Sequence, residues 1–154
     1  MKIPLYKLPK AESYIRTGIS KEIVNANLTA GIKSVLEMLK KKGFILGILT
    51  SNSEDNVKQY LSKAKLEVFD FIYSGSSIFG KSRVINSMLK DKNLHKDQVI
   101  YVGDETRDIE AAKKSGIKVI AVSWGYNSAS LLKKYYPDYL AEKPQEITDA
   151  LRVL

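Results

Sequence analysis

Cysteine is absent from the 154 residues. Its absence removes disulfides, thiolate nucleophiles, zinc–thiolate sites and iron–sulfur clusters, and agrees with a reducing compartment. No apolar run approaches the roughly 18 residues that a membrane-crossing helix needs. Residues 1–14 are broken by Pro4, Pro9 and several charges, so they offer no signal-peptide hydrophobic region. A cytoplasmic location with no membrane partner is expected. Internal repeats and low-complexity linkers are missing too, and so is the aromatic-interleaved basic stripe or RNP-like string of a nucleic-acid-binding module.

What is present is an apolar fraction of 44%, enough for a sizeable core in one globular domain of this length. The 25 Lys and Arg against 17 Asp and Glu give a formal charge of +8, a field that attracts phosphorylated metabolites or nucleic acid without choosing between them. The lysines fall on several predicted helices, as at Lys40-Lys41-Lys42, Lys113-Lys114 and Lys133-Lys134. They read as solvated helix faces and ends, where terminal cations complement the helix dipole. A nucleic-acid partner is therefore not expected.

From about residue 29 the chain alternates helical and strand patterns with short connections, the signature of an α/β domain with a three-layer, Rossmann-like parallel sheet. Ile32, Val35, Leu36 and Leu39 make one helix stripe, and Gly43 stands where a left-handed C-cap is wanted. The run Phe44-Ile45-Leu46-Gly47-Ile48-Leu49 predicts a buried strand, and Ser51 with Glu54 has capping-box spacing. Further strands are predicted near 69–73, 99–102 and 117–122, the last apolar throughout and so buried on both faces. Helices are predicted near 82–90 and 106–115, the latter stopped by Gly116. The pattern then weakens to a helix near 129–135, a short edge strand at Tyr139-Leu140 and a closing helix with Pro144 in its first turn.

In an open parallel sheet, ligands bind beyond the carboxyl ends of the strands, so the residues that follow each strand carry the information. The first predicted strand empties into Thr50-Ser51-Asn52. These residues could cradle a phosphate with hydroxyls, an amide and helix N–H groups, or could simply cap a helix. The third ends in Gly103-Asp104-Glu105-Thr106-Arg107-Asp108, where Asp104 and Asp108 have a spacing that can hold Mg²⁺ or can cap and complement a helix N-terminus. Between them, the loop of residues 74–80 leads to Lys81 at a helix start, where a cation is unfavourable and needs another partner.

Taken together, Thr50 after a hydrophobic strand, then Lys81, then Val102-Gly103-Asp104-Glu105-Thr106-Arg107-Asp108 followed by Ile109-Glu110-Ala111-Ala112-Lys113-Lys114-Ser115-Gly116, resemble motifs two, three and four of the haloacid dehalogenase-like superfamily. The detail is most similar to its phosphoglycolate phosphatase-like branch. The resemblance implies a Mg²⁺-dependent hydrolase of a small phosphorylated metabolite. Thr50, with Ser51 and Asn52, would bind the phosphoryl group, and Lys81 would neutralise it. Asp104 would ligate the metal, and Asp108 would hold the metal's waters or orient Lys81. It also implies that residues 1–28 are the end of a helical cap and its linker, and 29–154 the core.

The family's first motif, an Asp-x-Asp whose first aspartate is the nucleophile, occurs nowhere in the chain. Asp70, the acidic residue within a strand pattern, falls at that strand's entry, away from Thr50 and Asp104. In the family the motif strand lies between the strands ending in Thr50 and Asp104, and Pro4 argues against residues 2–8 replacing it. The expectation is a chain that begins inside a longer ancestral phosphatase and is nearly inactive alone. A second polypeptide supplying the missing strand would make an intact enzyme. The alternative is a non-catalytic phosphate- or partner-binding module. Open strand edges template pairing, so light scattering on the purified chain is expected to find a homo-oligomer or strand-exchanged species, and a stable monomer would contradict the gap.

Overall fold

The computed structural model of the chain describes residues 28–75 and 80–154. Among the described residues the alternation seen in the sequence becomes five short strands, β1 (Gly47–Thr50), β2 (Phe71–Ser74), β3 (Ile100–Gly103), β4 (Lys118–Val122) and β5 (Tyr139–Ala141). Among the described residues the helices are α1 (Ile32–Lys41), α2 (Glu54–Lys63), α3 (Lys81–Asp91), α4 (Thr106–Ser115), α5 (Ala129–Lys133) and α6 (Glu146–Val153). Every strand pairing is parallel, β1 with β2 and β3–β4–β5 in that order. None of these helices is long and apolar enough to cross a membrane.

The core lies on both faces of β4, because its side chains alternate and none of them after Lys118 reaches solvent. Val119 and Ala121 join Ile85, Met88 and Leu89 of α3 and Ile109 and Ala112 of α4. Ile120 and Val122 join Val35 and Leu39 of α1 and Ile147 and Ala150 of α6. This is the expected three-layer arrangement, with the continuously apolar strand at its centre. β1 and β3 contribute to the first of these layers through Leu49 and Tyr101, and Ile100 of β3, with Leu46 just before β1, packs on the other.

Among the described residues the sheet is interrupted between β1 and β3, with no ladder joining the two parts. Residues 1–27 of the expected cap remnant and linker lie outside the described residues, as do residues 76–79 of the loop before Lys81.

Several local expectations are corrected. The strand predicted from Phe44 begins only at Gly47, and Phe44 and Ile45 are 42% and 66% exposed. The cause is the end of α1, where Gly43 N–H bonds to the Lys40 carbonyl (3.0 Å) and Phe44 N–H to that of Leu39 (3.1 Å). With Gly43 at φ +85°, this Schellman turn carries the chain through residues that a strand would have needed. Ser53, not Ser51, caps α2, its hydroxyl accepting from Asn56 N–H at 3.3 Å. Pro144 precedes α6 in a turn instead of occupying its first turn, and Gln145 is the N-cap. Asp70 does sit at the entry of β2, held by Lys40 and by the Leu46 N–H at 2.8 Å, and these contacts lower its carboxyl's titration point.

At the entry of β4, Asp138 accepts from Lys118 Nζ at 2.8 Å and Val119 N–H at 3.0 Å, tying that strand to the approach to β5. Burial pushes its carboxyl up, but the Lys118 and Val119 donors together outweigh burial and hold it below the ordinary range. A depressed carboxylate stabilises the fold above its unfolded titration point and ceases to do so as the pH falls through the folded one. Asp138→Asn is therefore expected to lower the melting temperature at pH 7. The difference from the parent should narrow below about pH 4, as thermal melts across pH would show.

Candidate active site

The carboxyl ends of β1 and β3 open onto a cleft of ≈ 170 Å³ lined by Leu49, Thr50, Ser51, Gly75, Lys81, Val84, Glu105 and Arg107. A larger cleft of ≈ 350 Å³ lies between α2 and β2 and contains none of the expected site residues. Three of the six expected residues, Thr50, Ser51 and Lys81, thus share one wall-to-wall space.

Thr50 closes β1, and its Oγ1 accepts from the Asn52 N–H at 3.0 Å, which turns the chain sharply at the strand exit. Asn52 is buried and faces the other way. Its Oδ1 accepts from Ser53 N–H (2.9 Å) and Asn56 Nδ2 (3.0 Å), and its carbonyl accepts from the Ser74 hydroxyl (2.7 Å). Asn52 therefore joins the exits of β1 and β2 and does not line the cleft.

Lys81 opens α3 after Gly80, which has φ +93° and supplies no side-chain cap. The partner that a cation at this end of a helix needs is Asp108, with which Lys81 forms a direct ion pair. Asp108 is only 2% exposed. Its Oδ2 accepts from the N–H groups of Asp104 (3.2 Å) and Glu105 (3.1 Å), and its Oδ1 lies 3.4 Å from the Tyr101 hydroxyl. Burial, reinforced by the neighbouring Asp108 charge, pushes the Tyr101 phenol far up, so that it keeps its proton and remains a donor. Glu105, and not Asp104, is the N-cap of α4, and it exchanges capping-box bonds with Asp108.

Asp104 is held from the loop after β4. Its Oδ2 accepts from the Tyr126 N–H at 2.7 Å, its carbonyl accepts from Asn127 N–H at 3.1 Å, and Asn127 Oδ1 accepts from Thr106 N–H at 2.9 Å. Two glycines permit this closeness. A Cβ on Gly125 would stand 2.1 Å from Asp104 Oδ2, and one on Gly103 would stand 2.6 Å from Asp108. Carboxylate oxygens of Asp104, Glu105 and Asp108 come within 4.8 Å of one another, a set of hard oxygen donors that suits Mg²⁺. Arg107 grips Glu105 from the cleft side, and that hydrogen bond pushes its guanidinium further up.

Thr50, Lys81, Asp104 and Asp108 thus gather at one end of the sheet, linked through Lys81–Asp108 and the Asp104 N–H. Sequence reasoning missed Glu105, Tyr101, Tyr126 and Asn127. Ser123-Trp124-Gly125 follows β4 and leads straight to Tyr126, so the strand-exit rule applied to that strand would have drawn attention to the last two.

A family model described as haloacid dehalogenase-like hydrolase matches residues 5–122. The chain belongs to that family. It is 35% identical over 128 residues to a phosphoglycolate phosphatase of Synechococcus elongatus, covering 82% of this chain and 60% of that one. A pyrophosphatase of Bacillus mycoides is 26% identical over 124 residues, covering 78% and 58%. A solved haloacid dehalogenase-like hydrolase from Streptococcus pneumoniae superposes with a TM-score of 0.80 at 28% identity, over 97% of this chain and 72% of that one. The chain spans about 60% of the length of the curated relatives named.

Removing Asp108 leaves the Lys81 charge and two N–H groups without their acceptor. Asp108→Ala is expected to cost about 3–5 kcal/mol in urea unfolding, the size typical of breaking a buried ion pair from one side. A loss below about 1 kcal/mol would mean that water replaces the carboxylate freely.

Proposed function

We propose that the chain is the phosphate- and metal-binding part of a phosphatase that acts on a small phosphorylated metabolite. The observation that carries this reading is a single cleft with Thr50, Ser51 and Lys81 on its wall, backed by the acidic start of α4. The Thr50 and Ser51 hydroxyls would donate to the phosphoryl oxygens, and the Lys81 ammonium would neutralise them while Asp108 fixes its position. Asp104, with Glu105 beside it, would ligate Mg²⁺ and Asp108 would hold the metal's waters; the ion supplies charge neutralisation at the phosphoryl group when bound. Positioning and electrostatic stabilisation of this kind account for most phosphoryl-transfer catalysis. Relatives named phosphoglycolate phosphatase and pyrophosphatase make a compact, highly charged substrate the natural class.

The nucleophile is the missing element, since the sequence contains no Asp-x-Asp. Covalent transfer by the family's route would need that carboxylate from outside these 154 residues, for instance from a second polypeptide, set between β1 and β3 in a cytoplasmic assembly. Without it the chain is a phosphate-binding module derived from a phosphatase. Association through the open strand edges belongs to the same proposal.

With p-nitrophenyl phosphate and Mg²⁺, the chain alone is expected to hydrolyse at background rate. A peptide or partner carrying an Asp-x-Asp strand should raise the rate, and Thr50→Ala or Asp104→Asn should then lower it by about 100-fold or more, the usual cost of a lost transition-state contact. Activity of the isolated chain that survives Asp104→Asn would defeat the proposal.

A further inference from the structure

The loop after β4 crosses to the exit of β3 and holds Asp104 by side chain and backbone together. Two successive N–H groups do this, that of Tyr126 donating to Oδ2 at 2.7 Å and that of Asn127 to the carbonyl at 3.1 Å. The Asn127 side chain then turns to the next helix, its Oδ1 accepting from the Thr106 N–H at 2.9 Å. Tyr126 is 82% exposed, and it is its main chain, not its ring, that donates to Asp104.

Gly125 permits the approach for a reason specific to Asp104. Its φ lies outside the left-handed region, so its backbone would accept a side chain. The three atoms nearest to an added Cβ all belong to the Asp104 side chain, Oδ2 at 2.1 Å, Cβ at 2.3 Å and Cγ at 2.5 Å. Any side chain at 125 therefore displaces the carboxylate from the Tyr126 N–H.

The clamp acts against a repulsion. Carboxylate oxygens of Asp104, Glu105 and Asp108 lie within 4.8 Å of one another, and like charges so close favour spreading apart. Glu105 and Asp108 are restrained by the capping box they share. Asp104 stands outside that box, and the Tyr126 N–H is what keeps its carboxylate beside the other two. One N–H takes one of the roughly four lone-pair positions of a carboxylate and leaves the rest for a ligand.

We infer that Gly125, Tyr126 and Asn127 are positioning residues for a metal-binding carboxylate: the loop after β4 holds Asp104 against its acidic neighbours in advance, so that a divalent cation meets donors already gathered. This rests on the reading of Asp104 as a metal ligand. It adds to that reading a stretch of chain that does not line the cleft.

Titration of the full chain with Mn²⁺, followed by electron paramagnetic resonance at fixed ionic strength, tests it, because Mn²⁺ shares the oxygen preference of Mg²⁺ and loses its free-ion signal on binding. The parent should bind Mn²⁺ in competition with Mg²⁺, and Asp104→Asn should abolish that binding. Tyr126→Pro deletes the N–H, and Gly125→Ala pushes the carboxylate away from it. Each should weaken Mn²⁺ by about 10- to 100-fold, the usual effect of removing an outer partner of a metal ligand. Tyr126→Ala, which loses the ring and keeps the N–H, should stay within about twofold of the parent. A merely structural loop would lower the melting temperature in these variants without changing the Mn²⁺ affinity of the folded protein. If circular dichroism finds Tyr126→Pro unfolded, Gly125→Ala decides the matter. Parent-like affinity in either folded variant, or a loss in Tyr126→Ala as large as in Tyr126→Pro, would overturn the inference and leave Asp104 standing as a ligand. Mn²⁺ binding that is undetectable at millimolar concentration, or indifferent to Asp104→Asn, would overturn the metal reading and the inference with it.

Discussion

Lys81 begins a helix, where the dipole opposes a cation, and Asp108 is buried in the first turn of another helix, where an isolated charge would be costly to hold. Each is tolerable only because of the other. Their pair fastens the start of α3 to the start of α4, and through the N–H groups of Asp104 and Glu105 it fixes how the chain leaves β3. The cleft follows from that. Thr50 and Ser51 come to face Lys81 because β1 and β3 share the layers on which α3 and α4 pack.

The helices and strands were legible wherever apolar periodicity dominated. β4 read as doubly buried because its apolar run is continuous, and α4 ends at Gly116 with φ +73°, as its sequence indicated. Lys81 could be singled out among 25 basic residues by its unfavourable position alone. Legibility failed where short-range hydrogen bonding decided the matter. Phe44 and Ile45 look like strand residues, yet the turn closing α1 takes the Phe44 N–H and delays the strand past both. Ser51 and Ser53 are equivalent as potential caps, and the bond from Asn52 back to Thr50 selects the second. Tyr126 and Asn127 acquire their importance through backbone groups, which a residue's identity does not reveal.

Among the described residues no ladder joins β1 to β3, in a fold that otherwise superposes well on a relative. Family membership follows from the match over residues 5–122, and the superposition with the Streptococcus pneumoniae hydrolase covers almost the whole chain. On the proposed reading, the surroundings of a phosphoryl group are kept in a sequence with no Asp-x-Asp. That separation is physically reasonable. Electrostatic surroundings are built from buried pairs and backbone contacts that also hold the fold together, whereas a nucleophile contributes little to stability.

The environment of Asp108 has one more consequence. An ionised carboxylate offers about four lone-pair positions, and here they face the N–H groups of residues 104 and 105, the Tyr101 hydroxyl and the Lys81 ammonium. The carboxylate is itself an anion sitting in a ready-made hole of donors. Its coordination shell is full before any ligand arrives, so direct attachment to a cation would require it to shed a donor. Asp104 and Glu105 stand on the accessible side of that saturated group. Asp108 therefore acts on whatever binds there chiefly as a fixed charge, oriented in advance and with little left to rearrange.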